Sequence, residues 1–212
     1  MNVHTNSFAA GRKAFALSYL AALPKDYETS GKDYPLLIFL HGAGERGTDI
    51  SKVKIHGPFK LIEQGADYDA VCIAPQCPDG ITWDNIIFEL MDLIESVTST
   101  YRIDKTKISC TGLSMGGFGT WMLGITCPDM LYKLAPVCGG GMAWRAPVLK
   151  NIPIRAFHGT ADTVVLPERS VEMVNAVKKA GGNVELTLYD GVGHNSWVNA
   201  YEQTDLIEWL IS

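Results

Sequence analysis

A chain of 212 residues is the size of one α/β domain and long enough to bury a sizeable core. With 47% hydrophobic and 19% charged residues it reads as a soluble globular protein, and no apolar run is long enough to span a membrane. A formal net charge of −5 offers no electrostatic footprint for a phosphate backbone, which argues against nucleic acid as a partner.

In the first stretch, GRKAFALSYLAALP, Arg12 and Lys13 precede ten mostly apolar residues in the manner of a secretory leader. Phe15, Leu17, Tyr19, Ala21 and Leu23 alternate onto one face, however, and no small-residue cleavage site follows, so the spacing predicts a strand. Pro24, Gly31 and Pro35 then punctuate a turn before LLIFL, residues 36–40. An unbroken apolar run of this kind suits a strand buried on both faces, as in a parallel sheet covered by helices. It ends in HGAGERGTD, residues 41–49, and a polar connection follows with a short amphipathic segment near 58–63. AVCIAP, residues 70–75, repeats the buried-strand pattern. Over 83–101, Ile86, Ile87, Leu90, Leu93, Ile94 and Val97 share one helical stripe, with Asp84 as the expected N-cap.

KISCT, residues 107–111, reads as the fourth strand, and 115–126 as a helix carrying Phe118, Trp121, Met122 and Ile125. Between them lies GLSMG, residues 112–116. A serine on a sharp strand-to-helix turn presents its hydroxyl above the sheet edge, and Gly112 and Gly116 supply room that side chains would fill. Further strands are KLAPVC (133–138), PIRAFHG (153–159) and VELTLYD (184–190). A helix over 167–180 turns Val171, Val174 and Val177 inward and stops at Gly181 and Gly182. A closing helix over 199–210 contains Leu206, Ile207 and Leu210. Strands alternate with helices throughout, so the expected fold class is α/β: a doubly wound, mostly parallel sheet in a single domain, residues 1–212.

In such sheets ligands bind beyond the carboxyl ends of the strands. Ser114 follows the fourth strand, Asp162 follows PIRAFHG, and His194 follows VELTLYD. Serine is a poor nucleophile until a base takes its proton; His194 would do so and later protonate the leaving group, with Asp162 fixing the imidazole. The order Ser, Asp, His is that of the α/β hydrolases. Donors for an oxyanion are expected at the backbone N–H groups of Met115 and Ala43. His41 and His158 read as turn or supporting hydrogen-bonding residues, since neither has the spacing or acidic companions of a metal site. Trp83, Trp144 and Trp197 fall where segments reach the catalytic edge and are candidate substrate walls. Glu45 and Arg46 flank the oxyanion loop, where a salt bridge bracing it is expected over a substrate contact for Arg46.

These segments resemble the α/β-hydrolase superfamily, and within it compact serine esterases related to the phospholipase/carboxylesterase and feruloyl-esterase families. The resemblance is carried by LLIFLHGAGERGTD, APQCP, GLSMGGFGTW, HGTADTVV and GVGHNSW, from about Tyr19 to Trp197. It implies Ser114 as nucleophile, Asp162 as acid, His194 as base, and Ala43 and Met115 as oxyanion donors. Dienelactone hydrolases of the same fold use cysteine where this chain has serine. Only residues 139–152 separate the fifth and sixth strands, which leaves no room for a lid.

The expected activity is cofactor-free and metal-free cleavage of small soluble acyl or acylated-carbohydrate esters through an acyl-enzyme. A peptidase or thioesterase on the same triad is the nearer alternative, and a non-catalytic binding protein the more distant one. Cys72, Cys77, Cys110, Cys127 and Cys138 are odd in number and lack CxxC spacing, so a reducing, cytoplasmic setting is expected.

Overall fold

The computed structural model describes residues 16–212. Its strands are β1 (Tyr19–Ala22), β2 (Tyr34–Leu40), β3 (Val71–Pro75), β4 (Ile103–Leu113), β5 (Lys133–Val137), β6 (Ile154–Gly159) and β7 (Val184–Tyr189). They join in one seven-stranded sheet in the order 1-3-2-4-5-6-7. β1 runs antiparallel to β3, and every other pairing is parallel. The helices are α1 (Tyr27–Ser30), α2 (Gly57–Glu63), α3 (Ile87–Thr100), α4 (Met115–Thr126), α5 (Glu168–Lys179), α6 (Trp197–Glu202) and α7 (Leu206–Ile211). None among the described residues is long and apolar enough to cross a membrane. Of the alternating residues that predict the first strand, Phe15 lies outside the described residues and Leu23 follows the strand, 40% exposed.

The continuous apolar runs divide between two faces because successive side chains of a strand point oppositely. In β2, Leu36, Ile38 and Leu40 pack with Ile73, Trp83, Leu90, Ile94 and Trp121, on the side covered by α3, α4 and α5. Leu37 and Phe39 join Phe59, Tyr201, Leu206, Ile207 and Leu210, on the side covered by α2, α6 and α7. Polar groups of β4 facing this second layer are satisfied there. Ser109 Oγ donates to Leu210 O at 2.7 Å, and Thr111 Oγ1 lies 2.6 Å from Ala135 O and 2.8 Å from the Tyr201 hydroxyl. Unpaired, each would cost on the order of 1–3 kcal/mol.

Three local expectations are corrected. Asp84 is not the cap of the helix over 83–101; that segment opens with a 3₁₀ turn, Trp83–Ile86, capped by Thr82 in a reciprocal box with Asn85. The Thr82 N–H donates to Asn85 Oδ1 at 3.0 Å, and Asn at the third helical position plays the part usually given to Glu or Gln. The closing helix is two helices. Thr204 Oγ1 bonds Ala200 O at 2.6 Å and accepts from Leu206 N–H at 3.1 Å, so one hydroxyl ends α6 and starts α7. In α5, Met173, Val174 and Val177 form the buried stripe, while Val171 is half-buried.

Gly116, in the first turn of α4, sits so close to the end of β2 that an added Cβ would lie 1.8 Å from Leu40 O. Gly44, in the loop after β2, has nothing within 4 Å of such an atom. Gly116→Ala is therefore expected to cost about 3 kcal/mol or more, lowering Tm by roughly 6–12 °C, whereas Gly44→Ala leaves Tm within about 2 °C. Thermal unfolding of both variants checks this, and equal shifts would contradict the packing argument.

Candidate active site

β4 delivers Ser114. Leu113 ends the strand, Met115 begins α4, and Ser114 between them holds φ 52° and ψ −118°, a conformation costly for a residue with a Cβ. It persists because its surroundings hold it. Ser114 N–H donates to Val137 O at 2.9 Å and approaches Cys138 Sγ at 3.3 Å, while a Cβ on Gly112 would stand 2.4 Å from Gly116 O. The turn is thus as tight as GLSMG implies, and the N-terminal end of α4, with its partial positive charge, lies directly under the serine.

The structure brings Ser114, His194 and Asp162 into one hydrogen-bonded line. Ser114 Oγ donates to His194 Nε2 at 2.9 Å, and His194 Nδ1–H donates to Asp162 Oδ2 at 2.7 Å. Asp162 is 2% exposed, at the turn after β6. Its Oδ1 accepts from Val164 N–H at 2.9 Å and Val165 N–H at 3.0 Å. Burial pulls its carboxyl pKa upward, but the hydrogen bond from His194 and those from Val165 and Val164 outweigh it and hold the group below the usual value. His158, fully buried, stands beneath: its Nε2 is 3.1 Å from Asp162 Oδ2 and 2.8 Å from Val165 O, and both are acceptors, so this nitrogen carries a proton. Its Nδ1 meets Ser170 Oγ at 2.7 Å. The supporting role expected for His158 from sequence fits this geometry.

The loop after β2 lies beside the serine because of strand register. Leu40 pairs with Gly112, which sets His41 and Gly42 against Leu113 and Ser114. Ala43 opens a 3₁₀ turn, Ala43–Glu45, and Met115 opens α4, so each backbone N–H is among those a helix leaves without an internal partner. Both residues line the same cavity as Ser114. His41 locks the loop from below: its Nδ1–H donates to Gly42 O at 2.6 Å and its Nε2 accepts from Cys77 N–H at 2.9 Å, a pairing only the neutral ring satisfies. Burial, opposed in part by the Gly42 bond and reinforced by the Arg46 charge, lowers its pKa to about 4.

The tryptophans divide. Trp83 is not a cleft wall: it is fully buried, its indole N–H donating to His41 O at 3.0 Å, so it braces the loop after β2. Trp144 is 79% exposed in the 3₁₀ segment Ala143–Leu149 and does not line the cavity at Ser114. Trp197 packs edge-on to His194, ring centres 5.4 Å apart, and flanks the base. The loop-bracing salt bridge expected at Arg46 is not found among the described residues; hydrogen bonds to backbone carbonyls brace the loop instead. Glu45 turns to His41 and His56, 3.9 Å from each, while Arg46 bonds the carbonyls of Ala43 and Ile81 at 3.0 and 3.2 Å.

Beside Ser114 opens a cavity of about 630 Å³, lined by Met115, Phe118, Met122, Met142 and Val165 together with the polar residues Arg46, Thr82 and Asp84. His194 is not part of its lining. Sequence reading missed Cys138, whose Sγ lies within 4.8 Å of Asp162 and His194 ligand atoms. Burial pushes its thiol up to about 12, so it stays protonated. Only the pairing of β4 with β5 brings it there, and nothing in its local sequence signals this.

No protein-family profile matches the chain. It is 27% identical over 170 residues to a probable feruloyl esterase C of Aspergillus terreus, across 77% of this chain and 62% of that protein. It is 24% identical over 152 residues to acyl-protein thioesterase 1 of Gibberella zeae, across 68% and 63% respectively. The chain thus spans a little over three fifths of these relatives' lengths. Among solved structures, a thermostable esterase superposes with a TM-score of 0.83 at 32% identity, over 96% of this chain and 60% of that one.

The neutral ring of His41 makes stability depend on pH with a defined sign. Unfolded, His41 titrates near 6.5; folded, near 4. Between these values the unfolded chain binds the extra proton, so stability falls as pH drops through this window and is flat with respect to His41 above it. The contribution is about 3 kcal/mol across the window. Urea midpoints between pH 4 and 7 should therefore slope less in His41→Gln than in the parent, and parallel slopes would refute the assignment.

Proposed function

We propose, for a chain that has the α/β-hydrolase fold and resembles esterases built on it, that the described residues form a serine hydrolase cleaving carboxylic esters through an acyl-enzyme. One observation carries the reading: Ser114 Oγ, His194 and Asp162 stand in a continuous hydrogen-bonded line at the mouth of an apolar cavity. Ser114 attacks the ester carbonyl as His194 Nε2 takes its proton. The N–H groups of Met115 and Ala43 receive the oxyanion, and His194 then protonates the departing alkoxide. Water repeats the sequence on the acyl-enzyme and releases the acid. Asp162, kept ionised by its N–H donors, holds the imidazole tautomer and stabilises the cation.

Small soluble acyl or acylated-carbohydrate esters fit an uncapped cavity of this size, and the likeness to a feruloyl esterase supports that class. Thioesters are served by the same groups, and the likeness to an acyl-protein thioesterase makes them the second substrate class to test. Five free thiols support a reducing, cytoplasmic setting.

Ser114→Ala should abolish both turnover of a short-chain aryl ester and labelling by a fluorophosphonate, read as a single mass adduct on the parent and none on the variant. Labelling that survives the substitution would overturn Ser114 as nucleophile. Asp162→Asn, which keeps the size of the side chain but reverses the tautomer demand, should lower kcat on the order of 10⁴-fold. Steady-state kinetics decide, and a loss under tenfold would remove Asp162 from the triad.

A further inference from the structure

Ester cleavage leaves the polar residues of the cavity lining, Arg46, Thr82 and Asp84, without a role. Arg46 follows β2, and Thr82 and Asp84 follow β3; in the sheet both strands lie on the opposite side of β4 from β7, which precedes His194. A leaving-group oxygen has to come within reach of His194 Nε2 to be protonated, so the acyl portion extends the other way, into the cavity and toward Arg46. The methionine and phenylalanine side chains Met122, Met142 and Phe118 give this cavity apolar lining.

The same cavity is lined by a cation, Arg46, whose Nε–H bonds Ala43 O. Among the described residues no carboxylate forms an ion pair with Arg46; the adjacent Glu45 faces His41 and His56 instead. Arg46 is half-buried, and its guanidinium is fixed by two bonds, Nε–H to Ala43 O at 3.0 Å and Nη1–H to Ile81 O at 3.2 Å. These leave the second Nη1 donor and both Nη2 donors without a protein acceptor. A guanidinium held in plane with its outer edge free is preorganised for bidentate capture of a carboxylate. Asp84 lines the same cavity, but it is exposed and already accepts from Thr82 Oγ1, so solvent screens its charge more than that of Arg46.

We propose that the cavity selects acyl groups ending in a second carboxylate, so that half-esters of linear dicarboxylic acids are preferred, with Arg46 as the specificity-determining residue. The proposal rests on the ester-hydrolase reading above. Aryl half-esters of succinic, glutaric and adipic acid are compared with the corresponding terminal amides, which match them in size but lack the charge. For at least one chain length the parent should favour the carboxylate in kcat/KM by about tenfold or more. Arg46→Gln should bring that ratio to about one or below, Arg46→Lys should retain part of it, and Asp84→Asn should raise it. Because each ratio compares two substrates of one protein, partial misfolding of a variant cancels. A parent ratio near one at every length, or a preference that survives Arg46→Gln, would overturn the proposal while leaving the esterase reading intact. Turnover of neither ester would fail both.

Discussion

The approach of the first turn of α4 to the end of β2 is the constraint on which the site depends. Gly116 admits Leu40 O to a position that any side chain would occupy, and in doing so sets the serine turn and the following loop edge to edge. Ser114, the Met115 N–H and the Ala43 N–H lie side by side around this contact. The positive φ of Ser114 is the strain it imposes, offset by the bonds from its N–H to the end of β5 and by the packing of α4 between the sheet and α3.

Around that turn charge is arranged in opposite ways at neighbouring groups. Asp162 is buried yet ionised, because N–H donors from His194, Val164, Val165 and His158 surround its two oxygens. His41 is buried and neutral, because its neighbours offer one acceptor and one donor. Arg46 lines the cavity beside Ser114 and, among the described residues, is in no ion pair with a carboxylate. A fixed anion at Asp162, a neutral ring under the loop after β2 and a cation at Arg46 give the cleft an electrostatic pattern that composition alone does not reveal.

Much of this was legible from residue pattern. Apolar runs at 36–40, 70–75 and 133–138 identified buried parallel strands, and the placement of Ser114, Asp162 and His194 after successive strands identified which polar residues would meet. The misreadings share a cause. Trp83 and Trp144 were both placed at the correct sheet edge, yet one turns into the core and the other into solvent, since chain position locates a Cα and not the direction of a side chain. Asp84 lost the cap to Thr82 because a 3₁₀ turn precedes the helix, and the loop at Arg46 is braced by backbone carbonyls rather than by a salt bridge.

The sequence by itself determined the strand–helix alternation, the two-faced burial of the sheet and the tight serine turn. Those depend on hydrophobic period and on residues without side chains, which act locally. Tertiary structure alone decided that Cys138 lies beside Asp162 and His194, and that Arg46 lines the same cavity as Ser114. Each of these depends on strand order and register, which join segments far apart in the chain and are set by the packing of the whole sheet.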